Sequence, residues 1–233
     1  MIPSKRVGQW RFIVARLEMN KTWYASVLKL GRREIKQFNI RDEYALHKVI
    51  YSLFDKENAG SERRFLYCEK GATFDLQSKE YVKQIILLSS EYPQNRVQDY
   101  CFDLQTREIP NEFLQHQQYR FEIKMNVAKR DNQSQKMLPL KEKEAISLWF
   151  LQKNEQWGFQ ADPRHLQISA HNVMRFDKGE RTVTLNVVTF QGLLRVTDSM
   201  KFQHSFQQGI GRGRSFGLGL LQLVPINDTF FSI

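Results

Sequence analysis

A histidine between two tyrosines is the arrangement best suited to proton transfer in this sequence. In the segment DEYALHKVIYSLF, Tyr44, His47 and Tyr51 follow one another at intervals of three and four residues, which places them on one face of a helix. Histidine titrates near neutral pH and can exchange a proton with a hydroxyl group, and a tyrosine one turn away can orient it or a reacting phosphate. An ordinary surface histidine has the same local pattern, so the spacing permits acid–base catalysis without requiring it.

RNA is a substrate for which so small a group of residues would suffice. Its 2′-hydroxyl is a built-in nucleophile, so cleavage needs only acid–base groups, donors for the phosphate charge and a means of holding the backbone in line. The chain carries 35 Lys+Arg against 25 Asp+Glu, a formal charge of +10, and the excess is spread over both halves. This distribution favours a folded basic surface for a polyanion over a basic tail, although a merely basic protein would have the same composition.

The sequence lacks the motifs of a metal site, a disulfide framework, a membrane span and a secretory signal. Cys68 and Cys101 have no metal-ligand spacing and are too few for a disulfide framework, so we expect no metal, no cofactor and a reducing cytoplasm. No apolar run approaches the roughly 20 residues that span a bilayer, and the charged N-terminal segment does not resemble a secretory signal. We therefore expect no membrane partner.

Five glycines lie in the segment QQGIGRGRSFGLGLLQL, residues 207–223. A nucleotide-binding glycine loop follows a strand and opens a helix, whereas this one follows a helical pattern and precedes a buried-strand pattern. It holds no G-x-G-x-x-G and no G-K-[ST] ending, which argues against a nucleotide site. Two interpretations remain: a helix cap that also lets two sheets pack, or a backbone cradle for phosphate with two arginines adding charge. The cradle would comprise Gly209, Gly211, Arg212, Gly213, Arg214 and Ser215.

The elements that must position these residues follow a repeated order. Apolar alternation and turn signals predict, in the first half, a strand at 22–30, a helix at 42–54 and strands at 63–69 and 82–89. In the second half they predict a strand at 118–127, a helix at 141–153, strands at 167–176, 181–189 and 193–196, a helix at 198–208 and a last strand after the glycines. Two β-α-β-β units predict an α+β chain of two ferredoxin-like domains, similar to RNA-recognition domains, with antiparallel sheets.

The predicted domain boundaries follow from these elements. They are an N-terminal extension at 1–21, a first domain at 22–108, a linker at 109–117 and a second domain at 118–233 that includes the glycine loop. If Met19 is the initiator, the extension lies upstream of the true start.

Three segments carry a resemblance to a known family: DEYALHKVIYSLF, LPLKEKEAISLWFLQK and FQGLLRVTDSMKFQHSFQQGIGRGRSFGLGLLQL. In this order they resemble CasE, the CRISPR repeat-processing endoribonuclease of type I-E Cascade systems, and the likeness runs from about residue 22 to 226. It implies a protein that binds the hairpin of each repeat in the CRISPR precursor RNA. It also implies metal-free cleavage at the 3′ base of the stem, a 2′,3′-cyclic phosphate and a 5′-hydroxyl as product ends, and retention of the product in Cascade.

The resemblance also implies roles for individual residues. His47 matches the family's catalytic histidine, and Tyr44 matches a tyrosine one turn before it. The basic hairpin that grips the RNA stem falls on RFDKGERT, which makes Arg175, Lys178 and Arg181 the stem-contacting candidates; a solvated hairpin tip is the alternative. In the glycine loop, the family's basic, small and aromatic residues are matched by Arg214, Ser215 and Phe216.

Two functions from different classes are therefore open. The first is a metal-independent endoribonuclease. The second is a non-catalytic RNA-hairpin-binding subunit of a ribonucleoprotein, in which His47 has no chemical role. A nucleotide-dependent enzyme would need phosphate-loop geometry that the glycine segment lacks.

Overall fold

The computed structural model describes residues 22–54, 64–97, 99–133 and 135–226, without the side chain of Lys178. The predicted extension at 1–21 lies outside the described residues. Within them the chain forms two main antiparallel sheets, one from residues 24–108 and one from residues 118–225. None of the described helices is long and apolar enough to cross a membrane.

The first sheet is built on four strands of the first half. The elements in chain order are β1 (Tyr24–Leu30), α1 (Arg32–Gln37), α2 (Glu43–Tyr51), β2 (Phe65–Asp75), β3 (Glu80–Ser89), β4 (Arg96–Val97), β5 (Tyr100–Cys101) and β6 (Asp103–Glu108). The sheet order is β2-β3-β1-β6, and α2 lies in the connection from β1 to β2. In the described residues between β3 and β6, a short β4–β5 ribbon stands where a ferredoxin-like unit has its second helix.

The second sheet has the complete ferredoxin-like arrangement. Its elements are β7 (Gln118–Asn126), β8 (Ala128–Arg130), β9 (Met137–Pro139), α3 (Lys143–Lys153), β10 (Phe159–Ala161), β11 (Gln167–Lys178), β12 (Arg181–Val196), α4 (Ser199–Gln208) and β13 (Gln222–Pro225). The order is β10-β12-β7-β13, with β11 also paired to β12. The strand predicted at 193–196 is the end of the 16-residue β12, whose final residues pair with β10.

Each domain has its own apolar core, and a third cluster joins the two. That cluster combines Trp23, Leu66, Cys68 and Leu88 of the first domain with Phe206 and Leu220 of the second. Burying one leucine or phenylalanine side chain stabilises a fold by roughly 1.5–3 kcal/mol. The joining cluster therefore helps to hold the domains in one arrangement, and the residues at their junction have defined neighbours.

Candidate active site

His47 lines a pocket of about 530 Å³ at the junction of the two domains. The lining residues are Tyr44, His47, Lys48, Tyr51, Ser52, Ser215 and Phe216. The first five belong to α2 and its C-terminal cap, whereas the last two belong to the glycine loop of the second domain. The tyrosine–histidine face predicted from the sequence and the predicted loop residue Ser215 thus meet in one cavity.

The sequence of α2 determines which side of the helix faces the pocket. Leu46, Val49 and Ile50 are buried in the core of the first domain, which fixes the rotation of the helix about its axis. The carboxylate of Asp42 caps the N-terminus by accepting a 2.8 Å hydrogen bond from the N–H of Ala45. Because the apolar face is held in the core, the face that carries the tyrosines and the histidine lies along the pocket.

An aromatic wall supports the imidazole ring of His47. Its centroid lies 6.3 Å from that of Tyr67, with the rings 24° apart, and 5.7 Å from that of Phe65. The Tyr67 hydroxyl lies 3.1 Å from the carbonyl oxygen of Ser215, to which it donates, and 3.4 Å from that of Glu43. Burial raises the pKa of Tyr67 far above its usual range, so the hydroxyl remains a donor. Tyr67 connects the start of α2 to the glycine loop and was not predicted as a site residue.

Lys48 supplies the cationic group of the pocket lining. Its Nζ lies 4.3 Å from the centroid of the Tyr44 ring, a distance at which an ammonium group and an aromatic face attract. The pocket thus combines an imidazole, several hydroxyl groups and an ammonium group. These groups can move a proton, donate hydrogen bonds to a phosphate and offset negative charge. Among the described residues, no cluster of histidine, cysteine, aspartate or glutamate is arranged to hold a metal ion.

The glycine loop is a close-packed joint. All five glycines of the segment have positive φ, from +74° to +87°, a region that side-chain-bearing residues avoid. A Cβ on Gly213 would lie 2.8 Å from Leu218 Cδ1, and one on Gly217 would lie 3.0 Å from the Tyr67 ring. A Cβ on Gly219 would clash with the carbonyl oxygen of Ile210. The packing interpretation therefore has direct structural support.

Hydrogen bonds narrow the part of the loop that could cradle a phosphate. The backbone N–H groups already donating to carbonyl oxygens are those of Gly209, Ile210, Phe216 and Gly219. Of the predicted cradle residues, those at 211–215 could still offer N–H groups to a phosphate. Gly209 could not, because its N–H already donates to the carbonyl oxygen of Ser205. Arg214 donates to the carbonyl oxygens of Gln208 at 2.8 Å and of Gly209 at 3.3 Å, which places its charge at the C-terminal end of α4. Arg212 is exposed.

The predicted stem-contacting residues lie on the β11–β12 hairpin. Arg175 and Arg181 are exposed, and Arg175 also lines a second cavity of about 450 Å³ that reaches Tyr67. The ring of Phe176 packs 4.4 Å from that of Phe216. The hairpin is thereby packed against the glycine loop beside the His47 pocket, while the side chain of Lys178 lies outside the described part of the chain.

Replacing Gly219 with alanine is expected to lower the free energy of unfolding more than the same change at Gly71. Positive φ at a non-glycine residue costs of order 1–3 kcal/mol, and overpacking typically adds about 1–3 kcal/mol. Gly71 has φ +91°, and no atom lies within 4 Å of the position that an alanine methyl group would occupy there, so this site should carry the strain alone. Urea denaturation of both variants measures the difference, and equal losses would contradict the packing role of Gly219.

The fold and the pocket together define a class of protein: two ferredoxin-like domains with a pocket lined by histidine and tyrosine side chains at their junction. The sequence pattern of a family described as CRISPR associated protein matches residues 16–225. The chain belongs to this family, as its CasE-like segments predict.

Known relatives share the fold across nearly the whole chain. The CRISPR-associated endoribonuclease Cse3 of Thermus thermophilus is 30% identical over an alignment of 119 residues, and the match covers 47% of this chain and 56% of that protein. The chain thus matches about half the length of this curated relative. A structure of the CRISPR endoribonuclease Cse3 bound to a 19-nucleotide RNA has a TM-score of 0.74 and 23% identity, covering 88% of this chain and 100% of the other. A chain of a CRISPR RNA-guided surveillance complex covers the same shares, with a TM-score of 0.59 and 21% identity.

Proposed function

We propose that this protein is an endoribonuclease of CRISPR RNA processing that binds the hairpin of a repeat transcript and cleaves at the 3′ base of its stem. The observation that carries the proposal is the junction pocket, where the face bearing His47 meets Ser215 of the glycine loop. Membership of the CRISPR-associated family supports it, as do the endoribonuclease activity in the name of the relative Cse3 and the RNA bound to solved Cse3.

The chemistry requires only the substrate and the pocket side chains. The 2′-oxygen attacks the adjacent phosphorus while the bond from phosphorus to the 5′-oxygen breaks. His47 accepts the proton of the 2′-hydroxyl and the departing 5′-oxygen takes a proton from solvent water, which leaves a 2′,3′-cyclic phosphate and a 5′-hydroxyl. The Tyr44 hydroxyl orients the phosphate, and Lys48 offsets the charge that develops on it. The nucleophile comes from the RNA, so no metal-bound water is needed.

Binding uses the basic elements around the pocket. Arg175, Lys178 and Arg181 hold the phosphates of the stem, and Arg212 with the N–H groups of residues 211–215 holds a phosphate near the cleavage site. The product remains bound, and the protein joins the other subunits of Cascade, for which the likeness to a chain of a surveillance complex gives support. The two free cysteines, Cys68 and Cys101, fit a reducing cytoplasm as the place where the protein acts.

Cleavage of a repeat hairpin in excess EDTA tests this function. We expect the same single cut and the same rate with and without the chelator. Mass spectrometry should find the 5′ fragment lighter by one water than a linear phosphate, and polynucleotide kinase should label the new 5′-hydroxyl of the other fragment. Activity abolished in EDTA and restored by Mg²⁺ would contradict the mechanism, and tight binding without any cut would instead identify a non-catalytic RNA-binding subunit.

A further inference from the structure

A second basic hairpin projects from the second domain and has no role in the function proposed above. It is the β8–β9 ribbon with the segment that leads into α3, residues 128–143. This stretch holds five basic residues, at 129, 130, 136, 141 and 143, against two acidic ones, at 131 and 142. It therefore contributes +3 of the formal charge of +10 of the whole chain.

Both faces of the ribbon carry a cation. Lys129 pairs across the ribbon with Leu138, and Arg130 pairs with Met137. Successive residues of a strand point to opposite faces, so each face presents one basic and one aliphatic side chain. The two basic residues are exposed, as are Leu138 at 50% and Met137 at 41%. Such a ribbon contacts little of its own protein and has both faces available to a ligand.

Asn186 on β12 connects the base of the ribbon to the β11–β12 hairpin through hydrogen bonds. Its side-chain Nδ2 donates hydrogen bonds of 2.8 Å to the carbonyl oxygens of Val127 and Leu140, the residues that flank the ribbon. Its Oδ1 lies 2.7 Å from Nε2 of His171 on β11, and its backbone N–H donates to Asn126 at 3.0 Å. Asn186 is buried, and its four hydrogen bonds together hold the two hairpins in a defined relation.

The two hairpins occupy successive positions across the sheet. Strand β12 lies between β11 on one side and β7 on the other. The α2 helix of the His47 pocket contacts β11, whereas the ribbon continues from the end of β7. In the order of the sheet, the β11–β12 hairpin therefore lies between the helix of the pocket and the ribbon.

We propose that the β8–β9 ribbon is a second RNA-binding surface, which contacts phosphates of the same repeat RNA beyond those held by the β11–β12 hairpin. This proposal rests on the proposed function, because it needs an RNA in the pocket. An A-form stem is a stiff rod with phosphates along both strands and is recognised mainly through its backbone. A stem longer than the span of the first hairpin has further phosphates, and the ribbon is the neighbouring basic element of the sheet that could contact them. An acidic protein partner would also match the charge of the ribbon. It would not explain why the ribbon is hydrogen-bonded to the hairpin that is proposed to bind the RNA stem.

The double variant Lys129→Ala/Arg130→Ala tests the proposal, with the stem-loop RNA of the CRISPR repeat from the same genome as the probe. We expect the log–log salt slope of binding to fall in magnitude by roughly 0.7–0.9 for each phosphate that the protein no longer neutralises. The cleavage rate at saturating protein should not change, because the variant leaves the pocket intact. Hydroxyl-radical footprinting should show reduced protection at riboses distinct from those that Arg175→Ala/Arg181→Ala exposes. The charge-retaining variant Lys129→Arg/Arg130→Lys should keep the wild-type slope.

The matched control is Arg164→Ala/Lys201→Ala, which removes the same charge from the same domain. Each of these side chains is exposed and paired with a nearby aspartate, Asp162 at 3.2 Å and Asp198 at 3.1 Å. We expect this control to bind with the wild-type slope. Equal salt slopes for the ribbon variant and the control, or an unchanged footprint, would overturn the proposal that the ribbon binds RNA. The ribbon would then be a candidate surface for a protein partner. Failure of the wild-type protein to bind the stem-loop would instead reject the proposed function.

Discussion

Replacing His47 with alanine is expected to reduce the single-turnover cleavage rate of a repeat hairpin by about 10²- to 10⁴-fold, the usual loss when a general acid–base group is removed. Binding of the RNA should stay within a few-fold of wild type, because the proposed phosphate contacts lie mainly on the hairpins and the glycine loop. Tyr44→Phe removes only a hydroxyl group from the same face and should cost less. Rapid-quench measurements at saturating protein separate the chemical step from binding.

His204 provides the matched control for this variant. It is exposed on α4 and does not line the pocket, so His204→Ala should cleave at the wild-type rate. Thermal unfolding of both variants checks that a loss of rate does not come from a loss of fold. A His47→Ala protein that cleaves at nearly the wild-type rate would show that the imidazole takes no part in the reaction.

The face of α2 that carries Tyr44 and His47 could be predicted from local sequence. Leu46, Val49 and Ile50 follow the helical period, and burying them determines which residues remain on the other side. The longer strands and the helices of the second half could be predicted for the same reason, because their apolar residues alternate or recur at fixed intervals. The three-residue strands β8, β9 and β10 are too short to show such a pattern.

The surroundings of that face could not be predicted, because they come from distant parts of the chain. Tyr67 lies in RRFLYCE, which has the pattern of a buried strand, and its hydroxyl bonds to a carbonyl oxygen 148 residues further along, at Ser215. Nothing in the local pattern distinguishes this tyrosine from an ordinary core residue. Arg214 is a similar case: its guanidinium closes the end of α4, a direction that depends on how the loop folds back.

Other elements of the first domain could not be predicted for a different reason, as β6 and α1 show. Strand β6, DLQTRE, has a single apolar residue, Leu104, and forms through its pairing with the edge of β1. Helix α1 is six residues long and buries none of them. Both depend on tertiary contacts more than on their own sequence, and such elements have little periodic signal.

Substituting 2′-deoxyribose for the ribose at the scissile position is expected to abolish cleavage altogether. In the proposed reaction the 2′-oxygen is the nucleophile and His47 removes its proton. The deoxy substrate has no 2′-hydroxyl group, so it lacks the nucleophile. The modified hairpin should still bind and should compete with the natural RNA, because the phosphates proposed to contact the arginines are unchanged. A hairpin with deoxyribose one nucleotide further 3′ is the control and should be cut normally. Product from the scissile-position substrate would mean that water attacks the phosphorus, and the pocket would then need a group that holds and activates that water.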